Sequence, residues 1–258
     1  MPLWLLAIGL CTLVVWIFRR SARPAKLQLA ATPGRPNRLT PAHIVVAFFA
    51  WIALLLLARK LFPGEYYVLG LGLAQCLWLA AGLLVAARTF SGGLRSGLGL
   101  NLRHWFYDTA RGLIGYLAVL PLCTGTHWLT LWLITHLMPE AKLEPHEMLL
   151  AMRQMKTGWL IIAVFSATVL APLAEEVFFR GLLQSAIRRA THRPWAAVLL
   201  ASLFFALVHT NTWQDMPALF VLAVVMGYNY ERCGRLGPAI LIHALFNSVN
   251  IAVWLHAK

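Results

Sequence analysis

The sequence has little charge, less acid, and none of the patterns that mark a soluble nucleotide- or nucleic-acid-binding domain. Only 12% of its 258 residues are Asp, Glu, Lys or Arg, about half the share of a soluble globular domain. No stretch outside the apolar runs is long enough to bury a core of its own, so a separate soluble domain is excluded. There is no Gly-rich phosphate loop, no zinc-finger spacing and no basic face interleaved with aromatics. The formal net charge of +13 therefore does not point to a nucleic-acid partner. Cys11, Cys76, Cys123 and Cys233 form no CxxC pair and read as ordinary small core residues, not as a disulfide or thiolate metal site. No internal repeat or low-complexity tract is present.

What the chain has instead is apolar length. Hydrophobic residues make up 60% of it, and its mean hydropathy is +0.71. Apolar runs fall at roughly 2–18, 43–60, 66–88, 111–138, 158–187, 195–210, 216–231 and 237–256. They predict an all-α, polytopic integral membrane bundle of about eight transmembrane helices. The short runs at 195–210 and 216–231 are candidates for tilted or re-entrant segments. Residues 1–157 would hold four spans with a proline-containing linker at 19–42, and 158–258 a four-span core, the whole forming one structural domain. Segment 89–107, mixing Gly, Arg and aromatics, is expected to lie along the membrane interface.

The first run is followed by Arg19, Arg20, Arg23 and Lys26, not by a small-residue cleavage site, and so reads as a retained helix. With the N-terminus outside, 15 of the 22 Lys and Arg fall on loops facing inward, six face outward, and Arg180 stays within a span. Basic residues accumulate on the cytoplasmic side of short loops. The expectation is a multi-pass protein of the bacterial cytoplasmic membrane with both termini outside.

An ionisable residue inside a span costs about 2.5–3.5 kcal/mol on insertion scales, so each one requires a reason. Glu175, Glu176 and Arg180 share one span. Glu176 and Arg180 stand at i and i+4 with the acid N-terminal, the better orientation for an intrahelical pair. Glu175 is rotated by about 100° and needs a different partner; a carboxylate in apolar surroundings suits a general base. Pro172 removes one helical hydrogen bond and is expected to free the carbonyl of Thr168 and bend the helix near the acids. The next runs carry Phe205 with His209 and His243 with Asn247, each pair on one helical face. A salt-bridged packing device would explain the acids alone, and a lone membrane histidine is more often a core residue. Together with two histidines, the acid pair points to a site. Gln184, Asn211 and Asn229 are further polar candidates for a cavity lining; His127, His136, His146 and His192 read as structural.

EExxxR at Glu175 to Arg180, FxxxH at Phe205 to His209 and HxxxN at His243 to Asn247, in that order, resemble the CPBP family (CAAX protease and bacteriocin-processing). The likeness covers roughly residues 158–256. It implies an intramembrane glutamate endopeptidase in which Glu175 and His209 activate water and His243 and Asn247 form an oxyanion hole. Glu176 and Arg180, with Phe205, would support that set. The implied substrate is a membrane-anchored or membrane-inserted peptide. Two His and a Glu suit zinc in principle, with His209, His243 and Glu175 as ligands. HExxH is absent, though, and Asn247 is a poor zinc ligand, so a cofactor-free route is favoured. The competing readings are a non-catalytic peptide-binding or bacteriocin self-immunity protein and a proton-coupled transporter.

Overall fold

A computed structural model describes residues 3–21, 29, 35–143 and 147–256. Half of the linker expected at 19–42 lies outside the described residues, as does His146. Each of the eight apolar runs is helical: α1 (Leu3–Ser21), α2 (Pro41–Leu61), α3 (Tyr67–Thr89), α4 (Trp105–Leu137), α5 (Thr157–Thr191), α6 (Pro194–Leu207), α7 (Met216–Cys233) and α8 (Gly237–His256). No strand longer than an isolated bridge occurs among the described residues. The chain is thus an all-α polytopic membrane bundle. Five helices, Pro41–Leu61, Gly64–Thr89, Trp105–Leu137, Thr157–Thr191 and Gly237–His256, are long and apolar enough to cross a bilayer by length and composition. Leu3–Arg19 and Pro194–Leu207 are shorter apolar helices.

Lipid tails are as apolar as leucine, so membrane helices associate by close van der Waals packing at small residues. The interface of α4 with α8 works this way. A Cβ on Gly112 would lie 2.8 Å from Leu241, and one on Gly115 would lie 2.7 Å from Ile242. One core draws on both halves of the chain: Trp78 of α3 and Tyr116 of α4 pack in the same cluster as Val177, Phe178, Leu222 and Ile242.

The basic loops gather at one end of the bundle. Arg35 donates to the carbonyls of Tyr230 and Gly234, Arg188 pairs with Glu231, Arg189 donates to Leu39 O and Arg235 pairs with Asp108. Segment 89–107 packs into this end more than the expected interfacial stretch would. Phe90 and Leu98 are buried, and Leu98 O accepts from Leu236 N–H. Gly99, at φ +67°, sits where a Cβ would strike Gly234 O at 2.4 Å, so only glycine fits.

The cysteines correct the sequence reading. Cys123 is buried and Cys233 half-buried, but Cys11 and Cys76 are exposed. A helix face turned to lipid is as apolar as one turned to the core, so hydropathy alone does not sort them.

Candidate active site

Helix α5 carries the acids on backbone that is not plain α-helix. Residues Ser166–Leu170 and Val177–Gln184 are π-helical and flank the α-helical Ala171–Glu176. Such widened turns are rare and recur at functional sites. Helix α6 is short: 14 residues span about 21 Å at 1.5 Å each, less than the roughly 30 Å of hydrocarbon. A helix of that length cannot cross the hydrocarbon by itself, so if it enters from one face the turn after it, with His209 and the 3₁₀ segment Thr210–Asp215, falls inside. Irregular backbone is tolerated there only where it is buried in protein or lines a watery cavity.

Glu176 and Arg180 form the expected pair, Nη1 to Oε1 at 2.6 Å, with side chains 0% and 1% exposed. The same Oε1 lies 2.9 Å from His243 Nδ1, so that ring nitrogen carries the proton shared with the carboxylate. Arg180 also donates to Ala223 O, and its guanidinium lies 4.8 Å from the Phe205 ring centroid. Phe205 stands between the two imidazoles, with centroids 4.7 Å from His209 and 5.6 Å from His243.

Glu175 differs from its neighbour. Its side chain is 20% exposed, and Oε2 faces His243 Nε2 at 3.8 Å, too long for a hydrogen bond. That oxygen is buried and has no hydrogen-bond partner among the described residues, which is also true of Glu176 Oε2; the difference is that Glu175 has no ion pair closer than this and is partly open. An unpaired acceptor at this depth is costly, and a buried polar atom left open in this way calls for a ligand or a chemical role.

Asn247, one turn beyond His243, donates from Nδ2 to Ala167 O at 2.9 Å. The carbonyl that takes a side-chain donor here is that of Ala167. In the π register Ala171 N–H goes to Ser166 O, and the matching donor for Ala167 O would be residue 172. That residue is proline and has no N–H; Asn247 supplies the missing hydrogen. His209 Nδ1 lies 2.7 Å from Phe205 O. A carbonyl only accepts, so Nδ1 bears the hydrogen and Nε2 keeps its lone pair. The structure thus brings Glu175, Glu176, Arg180, Phe205 and His243 together directly. His209 joins through Phe205, and Asn247 through Ala167 of the acid-bearing helix. His209 and Asn247 make no hydrogen bond to Glu175 among the described residues.

Two further polar residues escaped sequence reasoning. Ser166 Oγ donates to Gln75 Oε1 of α3 at 2.6 Å, both side chains buried. This pair lies next to the Ala167 carbonyl. The signal was there, since each is a lone polar residue inside an apolar run. Of the other polar candidates, Gln184 donates to Gly227 O and Glu231. Asn229 accepts from Arg111, and the side chain of Asn211 lies outside the described residues. His127 pairs with Asp215 at 2.9 Å. Among the described residues, no three His, Cys, Asp or Glu side chains converge closely enough to hold a metal ion.

Residues 157–249 match the family model described as "Type II CAAX prenyl endopeptidase Rce1-like", in agreement with the resemblance to the CPBP family carried by the three motifs. This part of the chain is similar to CAAX-type proteases. Among curated proteins, the UPF0177 protein YbdI of Lactococcus lactis subsp. lactis (strain IL1403) is 32% identical over 80 residues. The match covers 31% of this chain and 41% of that protein. No solved structure matches.

Proposed function

We propose that the chain is an intramembrane endopeptidase that hydrolyses a peptide bond of a membrane-anchored substrate without a metal ion. The observation that carries the proposal is the Glu175 carboxylate, 20% exposed where Glu176 is fully buried, with Oε2 facing His243 Nε2. Glu175, with the lone pair on His209 Nε2, takes a proton from water as the oxygen attacks the carbonyl carbon; the proton then passes to the leaving amine. His243, its Nδ1 fixed on Glu176, presents Nε2 to the developing oxyanion. Asn247 adds the second hydrogen of its amide, the first being bound to Ala167 O. Arg180 offsets the charge of Glu176 beside the site.

The test is cleavage by the purified protein in proteoliposomes, using a panel of membrane-anchored peptides with and without a C-terminal prenyl-cysteine. Cleavage in ¹⁸O-water should place one ¹⁸O in the new carboxylate. Added zinc chelators should leave the rate unchanged. No fragment from any peptide overturns the reading, and a rate abolished by chelator and restored by zinc overturns the metal-free route.

Pro172→Ala gives a prediction particular to this geometry. A new N–H at 172 competes with Asn247 for Ala167 O, so kcat should fall by roughly tenfold, about the worth of one hydrogen bond. Thermal stability should be kept or improved, because the helix regains a donor. An unchanged kcat would show that the Asn247 anchor plays no part in turnover.

We also propose the bacterial cytoplasmic membrane as the location, with the arginine-rich end inside and both termini outside, which the clustering of basic loops at one end supports. A C-terminal tag protected from externally added protease would reverse that orientation.

A further inference from the structure

A cleft of about 1100 Å³ lies between α1, α4 and α7, lined by none of the seven motif residues. One close approach of α1 to α4 lies near its end. Gly9 is pressed so near that a Cβ would lie 2.7 Å from Leu117 O and 3.0 Å from Pro121. Beyond that point the lining of the cleft begins, at Cys11, and Trp16 meets the Tyr228 ring edge-on at 6.3 Å. The wall is mostly apolar, with Ile114, Ala118, Leu122 and Val224 along it.

Its charged groups lie at the basic end of the bundle. Arg111 lines the cleft and bonds only to neutral partners there, Nε to Asn229 Oδ1 at 3.1 Å and Nη1 to Tyr107 OH at 2.8 Å. Three of its five N–H groups are left over. Arg19 lines the same cleft. Neither arginine enters an ion pair among the described residues, and the nearby carboxylate, Asp108, is taken by Arg235 at 2.6 Å. Two cations without counter-charge at the mouth of an apolar trough call for a ligand with an anionic head and a hydrocarbon tail.

We infer that this cleft binds one anionic phospholipid, its phosphate held by Arg19 and Arg111 and an acyl chain laid along Ile114, Ala118 and Leu122. The site is separate from the proposed hydrolytic centre and does not depend on that reading.

The experiment is native mass spectrometry of the full chain in detergent with phosphatidylglycerol or phosphatidylcholine, with displacement of a fluorescent phosphatidylglycerol as a second readout. The expected result is one lipid per chain and about tenfold or greater preference for phosphatidylglycerol, in line with the attraction of two arginines near a membrane surface. Arg19→Gln should remove most of the preference without unfolding, since this exposed side chain has no ion pair among the described residues. Ala118→Trp should fill the trough and abolish retention with both arginines intact. Equal retention of the two lipids overturns the proposal, as does wild-type binding by both variants. So does displacement by inorganic phosphate at the concentrations at which phosphatidylglycerol competes, or a dimer in place of the lipid-bound monomer.

Discussion

Replacing Glu175 by Gln is expected to slow peptide hydrolysis by about 10²–10⁴-fold, the usual contribution of a positioned general base, while expression, insertion and thermal stability stay at wild-type levels. The variant keeps the shape of the side chain and removes only its capacity to take a proton. The fold has little to lose by it, because Glu175 Oε2 makes no hydrogen bond and its approach to His243 Nε2 is 3.8 Å. The neighbouring acid is the control. Glu176 is bound to Arg180 and to His243, so Glu176→Gln should lower stability as well as rate. If Glu175→Gln turns over at the wild-type rate, the proton acceptor is elsewhere and the assignment of the two acids is lost.

The two glutamates show where the sequence was informative and where it stopped. The i, i+4 spacing sufficed to pair Glu176 with Arg180, because helix geometry alone puts them in reach. That Glu175 needed a different partner followed from the same geometry. The group it faces, His243 on α8, was not legible; the resemblance had set Glu175 beside His209 instead. The proline was legible as a missing donor but not as to which carbonyl it frees. That depends on the π register of Ser166–Leu170, which tertiary packing sets. Gln75 and Ser166 meet across two helices that no local pattern connects. The unequal exposure of the cysteines was likewise hidden, since in a bilayer both the lipid-facing and the core-facing sides of a helix are apolar.

Arg180 is the residue whose removal should harm the fold most. It is 1% exposed, and its guanidinium binds Glu176 at 2.6 Å and Ala223 O at 3.2 Å. Arg180→Met keeps much of the volume and leaves Glu176 as a buried, uncompensated carboxylate, for which the loss is about 3–5 kcal/mol. Unfolding of the variant in detergent should show it, with hydrolysis lost in parallel. The double variant Glu176→Leu with Arg180→Met separates the two effects. It removes both charges, and replacing a buried ion pair by apolar groups is often neutral or stabilising, so stability should return. Hydrolysis should not return, because His243 Nδ1 then has no carboxylate to fix the ring and Nε2 no longer points reliably at the reacting carbonyl. Wild-type stability in Arg180→Met would mean that the pair is not what neutralises the acid. A fully active double variant would mean that His243 is oriented without Glu176, and the role of the second acid would then reduce to packing.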